Sequence, residues 1–277
     1  MPKIGFIQDF RLAARPGGAQ EVAEEILRRS PSATSTVVYC PPGQVKGATC
    51  DGYLVGNFLR YTPEEMEEVL SKPFAVYVFG WWADSHPLQD RYRQRLIEEA
   101  GLVVWDSPFH KDYFLKLWPL EPKGRVEVVP CPMDYRGLLE VNPPPLDVRP
   151  TDCLWWGELH PFQGFDVSCR WAENNERHLN LFGIGQFPAP TQFVHPQGTF
   201  ASDQRTRILY DHRCFPYFPR RPSGFSLAML EAYLAGLELV YSGRIGIFSF
   251  KKPLEAVAED CCQAGERLWQ LVEGALS

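Results

Sequence analysis

Asn142-Pro143-Pro144-Pro145-Leu146-Asp147-Val148-Arg149-Pro150 divides this sequence in two. Four prolines in nine residues remove backbone donors and fix φ, so neither a helix nor an inner strand runs through the stretch. It reads as a semi-rigid linker. Upstream, short apolar runs at 3–8, 36–40, 52–55, 74–79, 102–105 and 126–129 read as strands. Helical patterns lie between them at 19–29, 62–70, 91–100 and 110–117. The first carries Val22, Ile26 and Leu27 on one face, and the second opens Thr62-Pro63-Glu64-Glu65, with proline at the first helical position. Residues 74–79 are apolar throughout, the pattern of a strand covered on both faces. Downstream the alternation restarts, with strands at 153–156, 178–182, 214–218 and 239–241 and helices at 165–173, 202–210 and 225–234. A long helical pattern at 253–276 closes the chain, with Leu254, Val257, Cys261, Leu268 and Leu271 apolar. Strands alternating with helices predict parallel sheets in doubly wound α/β layers. The architecture expected is two Rossmann-like halves facing a central cleft, with ligands outside the carboxyl ends of the strands.

Composition sets the outer bounds. Hydrophobic residues make up 45% and charged residues 22% of 277, which excludes disorder of the whole chain. The 28 Lys+Arg against 34 Asp+Glu give a net charge of −6, which argues against a broad nucleic-acid or anionic-membrane surface but leaves room for a local basic cleft. No apolar run approaches the roughly 18 residues of a membrane span. Residues 1–10 show neither a basic n-region nor a small-residue cleavage site. The eight cysteines form no Cys-x-x-Cys pair, and they read as reduced thiols of a cytoplasmic protein rather than as a zinc site. No Asp-x-Asp triplet is present to hold a divalent cation between carboxylates and phosphates.

Three segments carry candidate chemistry. Gly17-Gly18 stands between the first strand and the first helix, where helix amides attract an anion or where glycine simply eases a turn. Gly183-Ile184-Gly185 follows a strand but lacks the third glycine of the dinucleotide fingerprint, so hydride transfer is not the reading. Ser223-Gly224-Phe225-Ser226 precedes the helix that holds Glu231. Ser223 as N-cap, the first-turn amides, and Arg220 and Arg221 together make a diphosphate cradle, or else a capped helix after a solvated arginine pair. Glu231 lies among Leu227, Leu230 and Leu234 and needs a donor there, either a ribose diol or a backbone amide.

These pieces also stand in a telling order. Leu154-Trp155-Trp156-Gly157-Glu158-Leu159 is followed by Pro161-Phe162-Gln163-Gly164-Phe165-Asp166, a strand ending at Gly185, Gln197-Gly198, and the run from Pro219 to Glu231. Glu231-Ala232-Tyr233-Leu234-Ala235-Gly236 continues that run. In the first half stand Gly17-Gly18-Ala19-Gln20, the stretch from Ser107 to Phe114, and Val128-Val129-Pro130-Cys131-Pro132-Met133-Asp134. This order resembles the retaining glycosyltransferases of the GT-B fold and is most similar to the large family 4, over nearly the whole chain. The resemblance implies an acceptor-side domain at 1–143, a nucleotide-sugar domain at 151–252, and a C-terminal helix at 253–277 that crosses back onto the first.

It also implies transfer of a hexosyl or pentosyl group, with retention and without metal or other cofactor. The donor would be a nucleotide sugar such as a UDP- or GDP-sugar, and the acceptor a small molecule, a glycan or a nucleic acid. Carried onto this sequence, the donor contacts are Gly17, Gly18, Gly157, Glu158, Gln163, Gly185, Ser223, Gly224, Phe225, Ser226 and Glu231. Arg220 and Arg221 would stabilise the leaving diphosphate. Gly80-Trp81-Trp82-Ala83-Asp84-Ser85-His86 ends a parallel strand near the acceptor. Asp84 or His86 would act there as base or orienting group, or merely cap the helix at Pro87. Trp81 and Trp82 would stack on a ring or fill core space.

The departures matter as much. Glu158 and Gln163 occupy the positions of the family's diphosphate-binding Arg and Lys, and Ser223 replaces the first glutamate of its Glu-x7-Glu pair. Glu231, at the family's ribose-binding position, is retained. Three explanations stay open. Other cations (Arg205, Arg207, Arg220, Arg221, Arg244 or Lys111) rebuild the cradle, the donor is unusual, or the protein binds a nucleotide or sugar without catalysis. A glycosyltransferase acting on a modified nucleic-acid base is a further alternative, against which the charge of −6 counts.

Overall fold

A computed structural model of the chain describes residues 1–11, 17–31, 33–80 and 86–276. Two compact units emerge: Met1–Asp134 with Asp260–Ser277, and Tyr135–Glu259. In the first, the strands are β1 (Lys3–Ile7), β2 (Thr36–Cys40), β3 (Gly52–Val55), β4 (Phe74–Val78), β5 (Leu102–Trp105) and β6 (Arg125–Val128). They pair in parallel in the order β2-β1-β3-β4-β5-β6. The crossovers run through α1 (Gly18–Arg28), α2 (Pro63–Leu70), α3 (Pro87–Glu99) and α4 (Pro108–Leu117). Every residue of β4 is buried, as its unbroken apolar run requires.

Helix starts follow capping chemistry more closely than apolar periodicity. Thr62 and Glu65 close a reciprocal capping box on α2. His86 caps α3 and Ser107 caps α4, each followed by a proline at the first helical position. Both helices therefore begin earlier than the periodic pattern suggests, at 87 and 108 rather than 91 and 110.

The second unit holds α5 (Arg136–Leu139), β7 (Thr151–Glu158), α6 (Phe165–Asn174), β8 (Leu179–Ile184), β9 (Val194–Gly198), α7 (Arg205–Asp211), β10 (His212–Tyr217), α8 (Leu227–Leu234) and β11 (Glu238–Tyr241). Its sheet is parallel, in the order β11-β10-β7-β8-β9. The proline-rich stretch belongs to this unit. Arg149 is 2% exposed, and its guanidinium donates to the carbonyls of Pro144 (3.0 and 2.8 Å), His212 (2.7 Å) and Ala235 (2.7 Å). The stretch is thus tied to the start of β10 and the end of α8.

The last helix, α9 (Leu254–Leu276), carries Cys261, Ala264, Leu268, Trp269 and Val272 buried at helical spacing, and residues from Asp260 onward count with the first unit. Trp269 donates its indole N–H to the Ile26 carbonyl (2.8 Å), and Glu273 accepts from Thr34 and Ser35. Burying each large apolar side chain of this stripe contributes about 1.5–3 kcal/mol.

His212, at the start of β10, gives the fold a pH dependence. Its Nδ1–H donates to the Ile208 carbonyl (2.6 Å), and Nε2 accepts from the Asn180 amide (3.0 Å), which makes it the neutral tautomer. Burial pushes its pKa below the ordinary 6.5, against the Ile208 contact, and the Arg149 charge acts in the same direction as burial. The unfolded chain then takes up this proton at a higher pH than the folded one. Stability is therefore full above the ordinary value and falls as pH drops through it. Urea unfolding at pH 7.5 and 5.5 checks this: wild type loses more stability on acidification than His212→Gln does.

Candidate functional site

In the second unit the strand order reverses between β7 and β10, which makes the carboxyl ends of these two strands a topological switch point. The segments leaving them are laced together. Gln163 accepts a hydrogen bond from the Tyr217 hydroxyl (3.0 Å), Arg220 N–H donates to the Phe162 carbonyl (3.1 Å), and Ser168 Oγ donates to the Pro216 carbonyl (3.0 Å). Gly164, at φ +75°, makes this approach possible, because a Cβ there would stand 1.9 Å from the Phe218 carbonyl oxygen. Burial raises the Tyr217 pKa, while the nearby hydroxyls of Ser226 and Ser223 oppose the rise.

The helix after this lacing starts later than the sequence suggests. Ser226, not Ser223, caps α8 and accepts from Met229 N–H (3.3 Å). Ser223 is instead drawn into a backbone bridge with the loop after β11. Phe225, between that bridge and the cap, packs edge-on against Phe250. Glu231 is 2% exposed, and its Oε1 accepts from Arg205 Nη1 at 2.9 Å. An arginine therefore supplies it with a donor.

The remaining donor-side residues are distributed as follows. Gly157 lies within β7, and Glu158 ends that strand exposed to solvent. Gly185 follows β8, where a Cβ would press on Leu159 (3.0 Å). Arg220 pairs with Asp166 of the α6 first turn, and Arg221 lies over the Phe162 ring, 4.3 Å from its centre. Both arginines are thus engaged by neighbours within this lacing.

In the first unit the order reverses at β1 and β3. Gly17 is the N-cap of α1, its carbonyl accepting from Gln20 and Glu21, and Gly18 is the first helical residue. Asp84, like Trp81 and Trp82, lies outside the described residues. His86 is described, and its Nδ1 accepts from Leu88 N–H (3.3 Å) as the cap of α3. The sequence reading missed Asp9, which follows β1 and accepts from Leu59 and Arg60 amides (3.1 and 2.9 Å). Burial pushes its carboxyl above the ordinary 3.8, against those amides and the charges of Arg60 and His86. Its place just beyond the first strand was the available signal. The Asp106–His110 pair (2.8 Å) is 0% exposed on both sides and belongs to the core.

No protein-family model matches the chain, and no curated protein is significantly similar to it. Solved structures do match. HepE of Anabaena, in complex with UDP-glucose, is 13% identical over 100% of this chain and 96% of its own, with a TM-score of 0.64. Sucrose-phosphate synthase from Thermosynechococcus elongatus is 12% identical over 100% and 96%, with a TM-score of 0.65. An alpha-glucosyltransferase in complex with UDP and DNA is 12% identical over 99% and 92%, with a TM-score of 0.60. Likeness at this identity shows the fold, and the chain has the GT-B fold. No helix among the described residues is long and apolar enough to cross a membrane.

Proposed function

We propose that this chain is a glycosyltransferase that takes a nucleotide sugar on its second unit and passes the sugar to an acceptor with retention at the anomeric carbon. The observation that carries this reading is the lacing of the segments leaving β7 and β10 at their switch point, Tyr217 hydroxyl to Gln163 and Arg220 N–H to the Phe162 carbonyl, beside the capped start of α8. The full-length likeness to structures holding UDP or UDP-glucose supports it. In this reading Ser226 uses the Met229 amide, and the amides of Leu227 and Ala228 in the same turn face the diphosphate with the helix dipole behind them. Glu231, held by Arg205, accepts the ribose hydroxyls. Asp9 and His86 orient the acceptor on the first unit. Leaving-group charge is met by amides and guanidinium groups, without a metal or other cofactor. The cytoplasm, where eight thiols stay reduced, is the compartment this reading places it in.

A thermal-shift screen with UDP, UDP-glucose and GDP-mannose, followed by donor hydrolysis assays, tests the proposal. A raised melting temperature together with slow release of free sugar is expected. Binding without turnover under any acceptor would move the reading to a nucleotide-binding protein on the same scaffold. Neither binding nor turnover would end it.

A further inference from the structure

The loop after β11 joins the same edge of the second unit. Ser223 N–H donates to the Arg244 carbonyl (3.0 Å), and Gly246 N–H donates to the Ser223 carbonyl (2.9 Å). This parallel bridge fixes Arg244 next to Ser223, on the segment that leads from β10 to α8. Other arginines of the unit are engaged: Arg205 with Glu231, Arg220 and Arg170 with Asp166, Arg207 with Asp211, and Arg221 over Phe162. Arg244 differs. It is exposed, and its side chain has no hydrogen-bond or ion-pair partner among the described residues. In a chain with more acids than bases, an arginine left unmatched at a site edge is available to a ligand. On either side of it in sequence, Tyr241 (45% exposed) and Phe248 (39%) stack at 4.9 Å and 14°.

We propose that this loop forms an anion subsite beside Ser223, in which Arg244 pairs with an acidic oxygen of the donor. The proposal rests on the nucleotide-sugar reading above. Guanidinium groups pair in bidentate fashion with phosphate and carboxylate alike, so the anion is either the terminal phosphate of the nucleotide or an acidic group on the sugar. With either anion, Arg244 supplies near Ser223 the positive charge that Glu158 and Gln163 do not carry.

Calorimetric titration of wild type, Arg244→Ala and Arg244→Lys with uridine, UDP, UDP-glucose and UDP-glucuronate tests it. Loss of a charge-assisted pair weakens binding by roughly ten- to a hundredfold. If the phosphate is the partner, Arg244→Ala weakens all three diphosphates and spares uridine. If a sugar carboxylate is the partner, only UDP-glucuronate weakens. In both cases lysine restores part of the loss. Wild type binding UDP while Arg244→Ala binds every ligand within about twofold of it overturns the subsite and leaves the nucleotide reading standing. Wild type binding none of the four overturns both.

Discussion

Glu231→Ala is expected to weaken UDP binding by roughly ten- to a hundredfold and to destabilise the fold by about 2 kcal/mol. Two causes act together. The ribose would lose its acceptor, and Arg205, 21% exposed at its side chain, would keep a charge with its nearest counter-ion gone. Removing one member of a fully buried pair costs more than this, but Arg205 retains access to water, which reduces the penalty. Arg205→Ala separates the two contributions. It breaks the same contact but leaves the carboxylate in place, 3% exposed and without its cation. The double variant is then expected to be more stable than the sum of the single losses predicts, by about 1 kcal/mol or more. Urea unfolding and calorimetric titration of the three variants measure these terms. Full UDP affinity in Glu231→Ala would remove the ribose assignment, and strict additivity would remove the pairing.

Arg149→Met is expected to have the largest effect on stability, a loss of about 4 kcal/mol. One guanidinium makes four hydrogen bonds to three carbonyls, at Pro144, His212 and Ala235, in a place that is 2% exposed. Methionine fills much of the volume but leaves three carbonyl groups without that donor. Burial lowers the Arg149 pKa, and the reference value for arginine is high enough that the group stays charged at neutral pH. Arg149→Lys keeps the charge but loses the planar fork, so an intermediate loss is expected. Thermal unfolding would show a fall of roughly 10–15 °C for Arg149→Met. A change within about 2 °C would mean that the proline stretch is held by other contacts.

Much of the fold was legible because its causes are local. The alternation of apolar runs and helical patterns follows from the two- and 3.6-residue periods of strand and helix. The all-apolar run of β4 announced a strand covered on both faces, and the structure buries each of its residues. Errors fell at helix starts, where one side chain outweighs periodicity. His86 and Ser107 begin α3 and α4 early, and Ser226 begins α8 late. The proline-rich stretch was legible as a break, but the burial of its arginine was not. Arg149 reaches carbonyls 63 and 86 residues away, and no local pattern carries such information.

The candidate site divides in the same way. Its segments could be found in sequence because turn glycines, capping serines and strand ends have short-range signatures. Charge availability could not. Arg205 meets Glu231 across 26 residues and Arg220 meets Asp166 across 54, while Arg244 meets no acid among the described residues. By itself the amino-acid sequence determined which stretches are strands, helices and turns, since each depends on neighbours a few residues apart. Only the tertiary structure decided which of the arginines are already matched, because ion pairing depends on distance in space, and the sheet order brings remote segments within reach of one another.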